Sequence, residues 1–318
     1  MADSTRDLLA ELTVEEKASL TSGADFWNTK AVERVGVPSM MLTDGPHGLR
    51  KQAGAGDHLG INDSVPATCF PPAVGLGSSF DPELAQRMGR AIGTEAAIED
   101  VAVVLGPGIN IKRSPLCGRN FEYFSEDPLV AGWMGGALVD GIQSRGVGSS
   151  LKHFAVNNQE SDRMRVSADV DPRPLHEIYL RGFAHVVRQS QPWTVMCSYN
   201  KINGVYASEN PWLLTDTLRT AWDFKAWLSP TGARSTSASP RWSPASIWRC
   251  RPAAASPTRR SWPPSATAPW IRPCSTPRPS AISSSSRRLS NGPRSPGRST
   301  STPITHSPAK LRGAASCC

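Results

Sequence analysis

The sequence predicts an α/β chain whose parallel sheet is an incomplete TIM-type (β/α)8 barrel, and three observations carry that prediction. Short apolar strands alternate with helical patterns of about 12 to 18 residues, the rhythm of a parallel sheet. Four of those strands run directly into polar and charged residues, and in a barrel the strand ends jointly build the site. No GxGxxG turn or other phosphate-cradling glycine loop follows a strand, which disfavours a doubly wound nucleotide-binding sheet.

Taken in order, Thr13 precedes Val14-Glu15-Glu16, a capping-box start with acids in the first turn of a helix to about Leu20. Ser39–Leu42 reads as a short buried strand that ends in Thr43-Asp44-Gly45-Pro46-His47-Gly48-Leu49-Arg50. Asp81-Pro82 is an N-cap with proline at the first helical position, and Leu84, Met88, Ala91, Ile92 and Ala96 mark that helix's apolar face. The strand Val101–Leu105 leads through Gly106-Pro107-Gly108 to Asn110, Lys112 and Arg113, and then to Cys117-Gly118-Arg119-Asn120-Phe121-Glu122. Asp127-Pro128 opens a helix to about Ser144.

The stretch GVGSSLKHFAVNNQESDRMR, residues 146–165, gives a strand over Val147–Leu151 that delivers Lys152 and His153 side by side. From Pro172 to Gln189 a long helix carries Leu175, Ile178, Tyr179, Phe183 and Val186 on one face. Thr194–Ser198 is a strand ending in Tyr199-Asn200, and Pro211–Trp222 is a helix capped by Asn210.

The composition is two compositions. The chain holds 35 Lys and Arg and 27 Asp and Glu; every acid lies at or before Asp223, while 15 of the bases follow it. The first stretch therefore carries −7 and the second +15, and the net +8 describes neither. From Phe224 onward Ser and Pro make up 36 of 95 residues, with no apolar periodicity, so this tail is expected to be disordered. A basic nucleic-acid-binding tail is the rival reading. Evolved tails of that kind tend to cluster Lys and Arg, whereas Trp227, Trp242, Trp248, Trp262 and Trp270 are scattered here without pattern, so no nucleic-acid partner is expected.

The first 20 residues have no apolar core behind a basic start, and no apolar run approaches the roughly 20 residues of a membrane helix. Cys69, Cys117 and Cys197 are scattered and fit neither a disulfide framework nor a CxxC metal site. A cytoplasmic protein with no membrane partner follows as the expectation.

The strand ends offer Asp44, Arg113 or Arg119, Lys152 with His153, and Tyr199. A carboxylate, cations, an imidazole and a phenol suit a neutral, densely hydroxylated ligand, because charge-assisted hydrogen bonds are about twice as strong as neutral ones. Taken singly, each has a plainer explanation: an Arg119–Glu122 ion pair, a solvated strand-end lysine, a core tyrosine. Their convergence carries the argument.

TDGPHGLR, LGPGINIKRSPLCGRNFEYFSEDP, SLKHFAVNNQESDRMR and MCSYNKINGVYASEN resemble, in this order, the N-terminal barrel of glycoside hydrolase family 3, the β-glucosidase-like enzymes. The resemblance covers about residues 12–225. It implies that Asp44, Arg119, Lys152, His153 and Tyr199 hold a sugar, with Met196 lining the subsite. It also implies a small-molecule β-glycoside or oligosaccharide as substrate, retaining hydrolysis by two carboxylates, and no cofactor and no metal.

The resemblance stops abruptly. The family places its nucleophilic Asp in a strand motif like G-V-V-V-S-D-W-G-A, just after W-G-F-x. Here Trp222-Asp223-Phe224-Lys225 is followed by Ala226-Trp227-Leu228-Ser229-Pro230-Thr231-Gly232, without the Asp. The genetic code permits a repair. One G restored after the Lys225 codon allows the reading Lys-Gly-Val-Ala-Val-Pro-Asp-Trp-Gly-Ala-Val. In the same frame Pro244–Arg251 can read Ala-Gly-Leu-Asp-Leu-Glu-Met-Pro, a second family motif. A frameshift therefore divides the chain into a barrel domain, 1–225, and an out-of-frame tail, 226–318. The expectation is a glycosidase by family, inactive as this chain for want of its nucleophile. A non-catalytic sugar-binding remnant is the alternative.

Overall fold

The computed structural model describes residues 8–54 and 62–229. All of them lie in the first of two units into which the chain divides, Met1–Arg251 and Pro252–Cys318. The expected disorder of the tail concerns residues 230–318, which lie outside the described residues.

Five parallel strands form the main sheet: β1 (Leu42–Asp44), β2 (Val103–Leu105), β3 (Gly148–Phe154), β5 (Thr194–Cys197) and β8 (Trp227–Ser229). Their order across the sheet is their order along the chain. A doubly wound sheet reverses direction at a switch point, whereas a singly wound one curls into a barrel. The described strands are thus an arc of a barrel-like α/β fold. The short strands β4 (Ser167–Ala168), β6 (Lys201–Ile202) and β7 (Val205–Tyr206) make a separate small sheet.

The helices form where their caps direct. Thr13 and Glu16 close a reciprocal capping box at α1 (Val14–Ser19). Asp81 and Asp127 accept from Leu84 and Leu129 at the starts of α3 (Pro82–Ile98) and α4 (Pro128–Gln143), which follow the short helix α2 (Ala73–Gly77). α3 and α4 approach so closely that a Cβ on Gly141 would lie 2.3 Å from the Gln86 carbonyl oxygen. The glycine is required there by contact. β3 is buried along all seven residues, as a strand covered on both faces must be. Phe154, at its end, packs edge-on to Phe183 and Trp222 with ring centroids 5.3 and 5.7 Å apart.

Several boundaries differ from expectation. β1 begins at Leu42, not Ser39: the Met40 carbonyl accepts from Thr29, and Met41 bridges Asn28 while its carbonyl accepts from Ala102 and Val103. β3 runs on to Phe154, so Lys152 and His153 lie within the strand and not beyond it.

The helix expected from Pro172 is α5 (Pro172–Pro174), a π turn (Leu175–Tyr179) and α6 (Arg181–Ser190). The Leu180 amide donates to the Leu175 carbonyl, an i→i−5 bond. The extra residue rotates Ile178 outward to 39% exposure while Leu175, Phe183 and Val186 stay buried. Pro211–Trp222 is likewise π-wound over Trp212–Ala221, with the Asn210 side chain accepting from Leu213. Finally, β8 pairs with β5 through Ser229, four residues past the expected boundary at 225. No helix among the described residues is long and apolar enough to cross a membrane.

Candidate sugar-binding site

Three strand ends converge on a cavity of about 320 Å³, lined by Asp44, His47, Arg50, Arg119, Phe121, Glu122 and Lys152 together with Gly45, Pro46 and Gly48. Asp44 closes β1. The chain then folds back, the Arg50 amide donating to the Asp44 carbonyl at 2.9 Å. Only glycine fits at 48, where φ is +131° and a Cβ would lie 2.1 Å from the Thr68 carbonyl oxygen. Arg119 and Glu122 are brought together by one 3-10 turn, Asn120–Glu122. Lys152 projects from β3, whose backbone is clamped beside it by Ile109 and Pro107.

These groups form a row of alternating charge. Asp44 sits between Arg50, at 3.9 Å, and Lys152, at 3.7 Å. The Lys152 ammonium lies 2.8 Å from Glu122, and Arg119 Nε donates to the same carboxylate at 2.7 Å. Arg119 in turn lies 3.8 Å from Glu160, which pairs with Arg163 at 3.2 Å. The Arg163 guanidinium lies over the Tyr199 ring, 4.9 Å from its centroid. Burial alone would raise the Glu122 pKa, but Lys152 and Arg119 outweigh it and hold the carboxyl far below its ordinary range. Burial opposes the charge on Arg119 as well, and Glu122 keeps its pKa raised.

Asp44, Arg119 and Lys152 thus meet around one cavity. Arg113, the alternative to Arg119, lines a second cavity of about 190 Å³ with Asn158 and Asn200. His153 faces the wall behind. A bulge in the β3–β5 register falls at this residue, re-aiming it away from its neighbour. Its backbone is held by both ends of the Asn110 amide, at 2.8 and 2.9 Å. Its Nδ1 lies 3.2 Å from Tyr123 Oη, which also accepts from Asn157 at 3.0 Å. Burial pushes the His153 pKa well down, so the ring is neutral. Met196 stands opposite Lys152 on β5 and is buried; Tyr199 is half-buried beyond the strand, and neither lines the cavity.

His47, Arg50, Phe121 and Glu122 line the cavity although sequence reasoning did not select them. Glu122 figured there only as a plain partner for Arg119; its neighbour Lys152 is 30 residues away, and no local pattern announces that pairing. His47 lies in the first motif itself, edge-on to Phe121 at 6.3 Å, with burial lowering its pKa. Among the described residues no group of three or more His, Cys, Asp or Glu could hold a metal.

Carboxylates and cations spaced along one wall, with the Phe121 ring at the rim, can accept from and donate to adjacent hydroxyls while an apolar face rests on the ring. The family model for the glycosyl hydrolase family 3 N terminal domain matches residues 12–228, and the chain belongs to that family. It is 59% identical over 225 residues to an exo-α-(1→6)-L-arabinopyranosidase of Bifidobacterium longum, covering 70% of this chain and 30% of that protein. It is 56% identical over 222 residues to thermostable β-glucosidase B of Acetivibrio thermocellus, covering 70% and 29%. Among solved structures, the family-3 β-glucosidase of Bifidobacterium adolescentis superposes with TM-score 0.65 at 56% identity over 70% of this chain and 31% of that one. β-Glucosidase 3B of Thermotoga neapolitana, solved with α-D-glucose, superposes with TM-score 0.67 at 42% identity over 71% and 33%. The chain therefore spans about three-tenths of the length of these relatives.

Proposed function

We propose that this chain carries the sugar-holding half of a retaining, β-glucosidase-like O-glycosyl hydrolase, and that as translated it does not hydrolyse glycosides. Asp44, Arg119 and Lys152 would grip adjacent hydroxyls of a terminal sugar, with His153, Met196 and Tyr199 supporting the subsite from outside the cavity lining. The observation that carries this reading is the convergence of Asp44, Arg119 and Lys152 on one cavity in a chain of this family. The proposed loss of activity rests on the sequence after Phe224, where the acids stop and the family's nucleophile motif gives way to Trp227-Leu228-Ser229. Retaining hydrolysis needs a carboxylate to attack the anomeric carbon and a second to act as acid and then base. Without the first there is no glycosyl-enzyme intermediate.

The relatives' names divide between an arabinopyranosidase and β-glucosidases, so the test uses both sugars. The purified chain is incubated with an aryl β-D-glucoside and an aryl α-L-arabinopyranoside, and titrated calorimetrically with glucose and with arabinose. The expected outcome is saturable binding of one sugar and no release of aryl alcohol above buffer. Turnover of either glycoside would contradict the loss of the nucleophile. Absence of binding by both sugars would contradict the assigned sugar-holding role.

A further inference from the structure

Lys152 has two carboxylates within reach and does not share itself equally between them. Its ammonium is 2.8 Å from Glu122 and 3.7 Å from Asp44. The Glu122 side chain is 5% exposed and Lys152 4%, whereas Asp44 is 36% exposed and competes with water for its partners. An ion pair out of water is bound far more tightly than one in it, so the cation belongs to Glu122. The same carboxylate takes Arg119 with its other face, and the three residues stand at one wall of the cavity.

From this geometry we infer that Glu122 is a positioning residue: it pins Lys152 and Arg119 at fixed places on the cavity wall and keeps Asp44 open to the ligand. This inference rests on the proposed sugar-holding role of the cavity. Asp44 can accept from sugar hydroxyls only while Lys152 is drawn elsewhere. Take the Glu122 charge away and the ammonium has one carboxylate left, Asp44, less than 4 Å off. Lys152 then swings across the cavity, neutralises the group that should meet the ligand and narrows the space for it. Arg119 loses the charge of its nearest carboxylate and keeps Glu160, at 3.8 Å, as an anionic partner. Glu122 acts through its neighbours and need not touch the ligand.

The test uses the full chain with Glu122→Gln, which keeps the shape and removes the charge, and Glu122→Asp, which keeps the charge one methylene short. Two readouts are taken on samples whose melting midpoints are measured. The first is reductive methylation of Lys152 followed by mass spectrometry, which involves no sugar. Lys152 should be modified at least about fivefold faster in Glu122→Gln, since loss of one charge-assisted hydrogen bond releases the amine. Lys51, paired with Glu99 at 3.2 Å, should be unchanged. The second is glucose affinity, expected to fall at least about tenfold in Glu122→Gln and to be partly restored in Glu122→Asp.

Unchanged Lys152 reactivity in a folded Glu122→Gln overturns the pinning, whatever the sugar result. Raised reactivity with unchanged glucose affinity overturns the claim that pinning serves the ligand. If the unaltered chain binds no sugar, the sugar-holding role fails and the claim for Asp44 fails with it, while methylation still decides the pinning. If Glu122→Gln does not fold, Glu122→Asp decides. Its shorter arm must raise Lys152 reactivity at an unchanged melting midpoint, and equal reactivity overturns the pinning.

Discussion

The two sides of the sheet are built from the same kind of strand and end differently. On the β1–β3 side, Lys152 leaves its strand paired with Glu122 of the Arg119–Glu122 turn, Asp44 lies 3.7 Å from the same ammonium, and both line one cavity. On the β5–β8 side the strands still pair in register, Thr194 with Trp227 and Met196 with Ser229, yet no residue of β5 lines that cavity. The backbone ladder is indifferent to which side chains it carries, since its hydrogen bonds come from N–H and C=O groups. A site is not indifferent. On the proposed reading, β8 is a strand kept in place by sequence that has lost the residue the site needs.

The comparison is sharpened most strongly by a change on the intact side. Lys152→Met should abolish glucose binding and cost about 3–5 kcal/mol of stability, because it leaves the buried Glu122 carboxylate without its nearest cation. Thermal or urea unfolding checks the second part, and calorimetry the first. Phe154→Ala, at the seam between the two sides, should cost about 3–5 kcal/mol with no direct effect on the cavity charges. A loss under about 1 kcal/mol would mean that the Phe154–Phe183–Trp222 cluster is not packed as described.

Acid should unfold the protein in two stages set by the β1–β3 side. His153 is held neutral by burial, its pKa well below the ordinary 6.5, so the unfolded chain binds the extra proton first. Stability should decline as pH falls from about 6.5, the ordinary value of the imidazole. Glu122, depressed by its two cations, contributes stability that is complete above its ordinary 4.5 and declines as pH falls below it. A melting midpoint flat from pH 7 to pH 5 would contradict the burial of a neutral His153. The smallest effect belongs to the surface. Arg165→Ala breaks an ion pair whose partners are 80% and 64% exposed, and should leave the melting midpoint where it is.

Much of this was legible in the sequence where the signal is local. Asp81-Pro82 and Asp127-Pro128 announce helix starts because a cap and a proline act on the next turn alone. The strand ends announce Asp44 and Lys152 because apolar runs stop there. What was not legible is non-local or geometric. Ahead of β1, residues 28–29 pair with Met40 and Met41, a pairing that no strand pattern records. The π turn after Pro174 moves Ile178 to the surface although its spacing suits an α-helical core face. His153 turns from its neighbour at a bulge, which alternation along a strand does not reveal. Glu122 passed for a plain ion-pair partner of Arg119 because its decisive neighbour, Lys152, lies on β3, 30 residues away.

The central claim is that the sugar-holding side is intact and the catalytic strand was lost to a change of reading frame after Lys225. The nucleotide sequence across the codons for Phe224 to Thr231 tests it most directly. The account predicts that one added G after the Lys225 codon yields a valine-rich strand ending in Asp-Trp-Gly, with a Leu-Asp-Leu-Glu-Met-Pro motif further along in the same frame. A shifted frame that meets a stop codon, or that places no aspartate there, would contradict it.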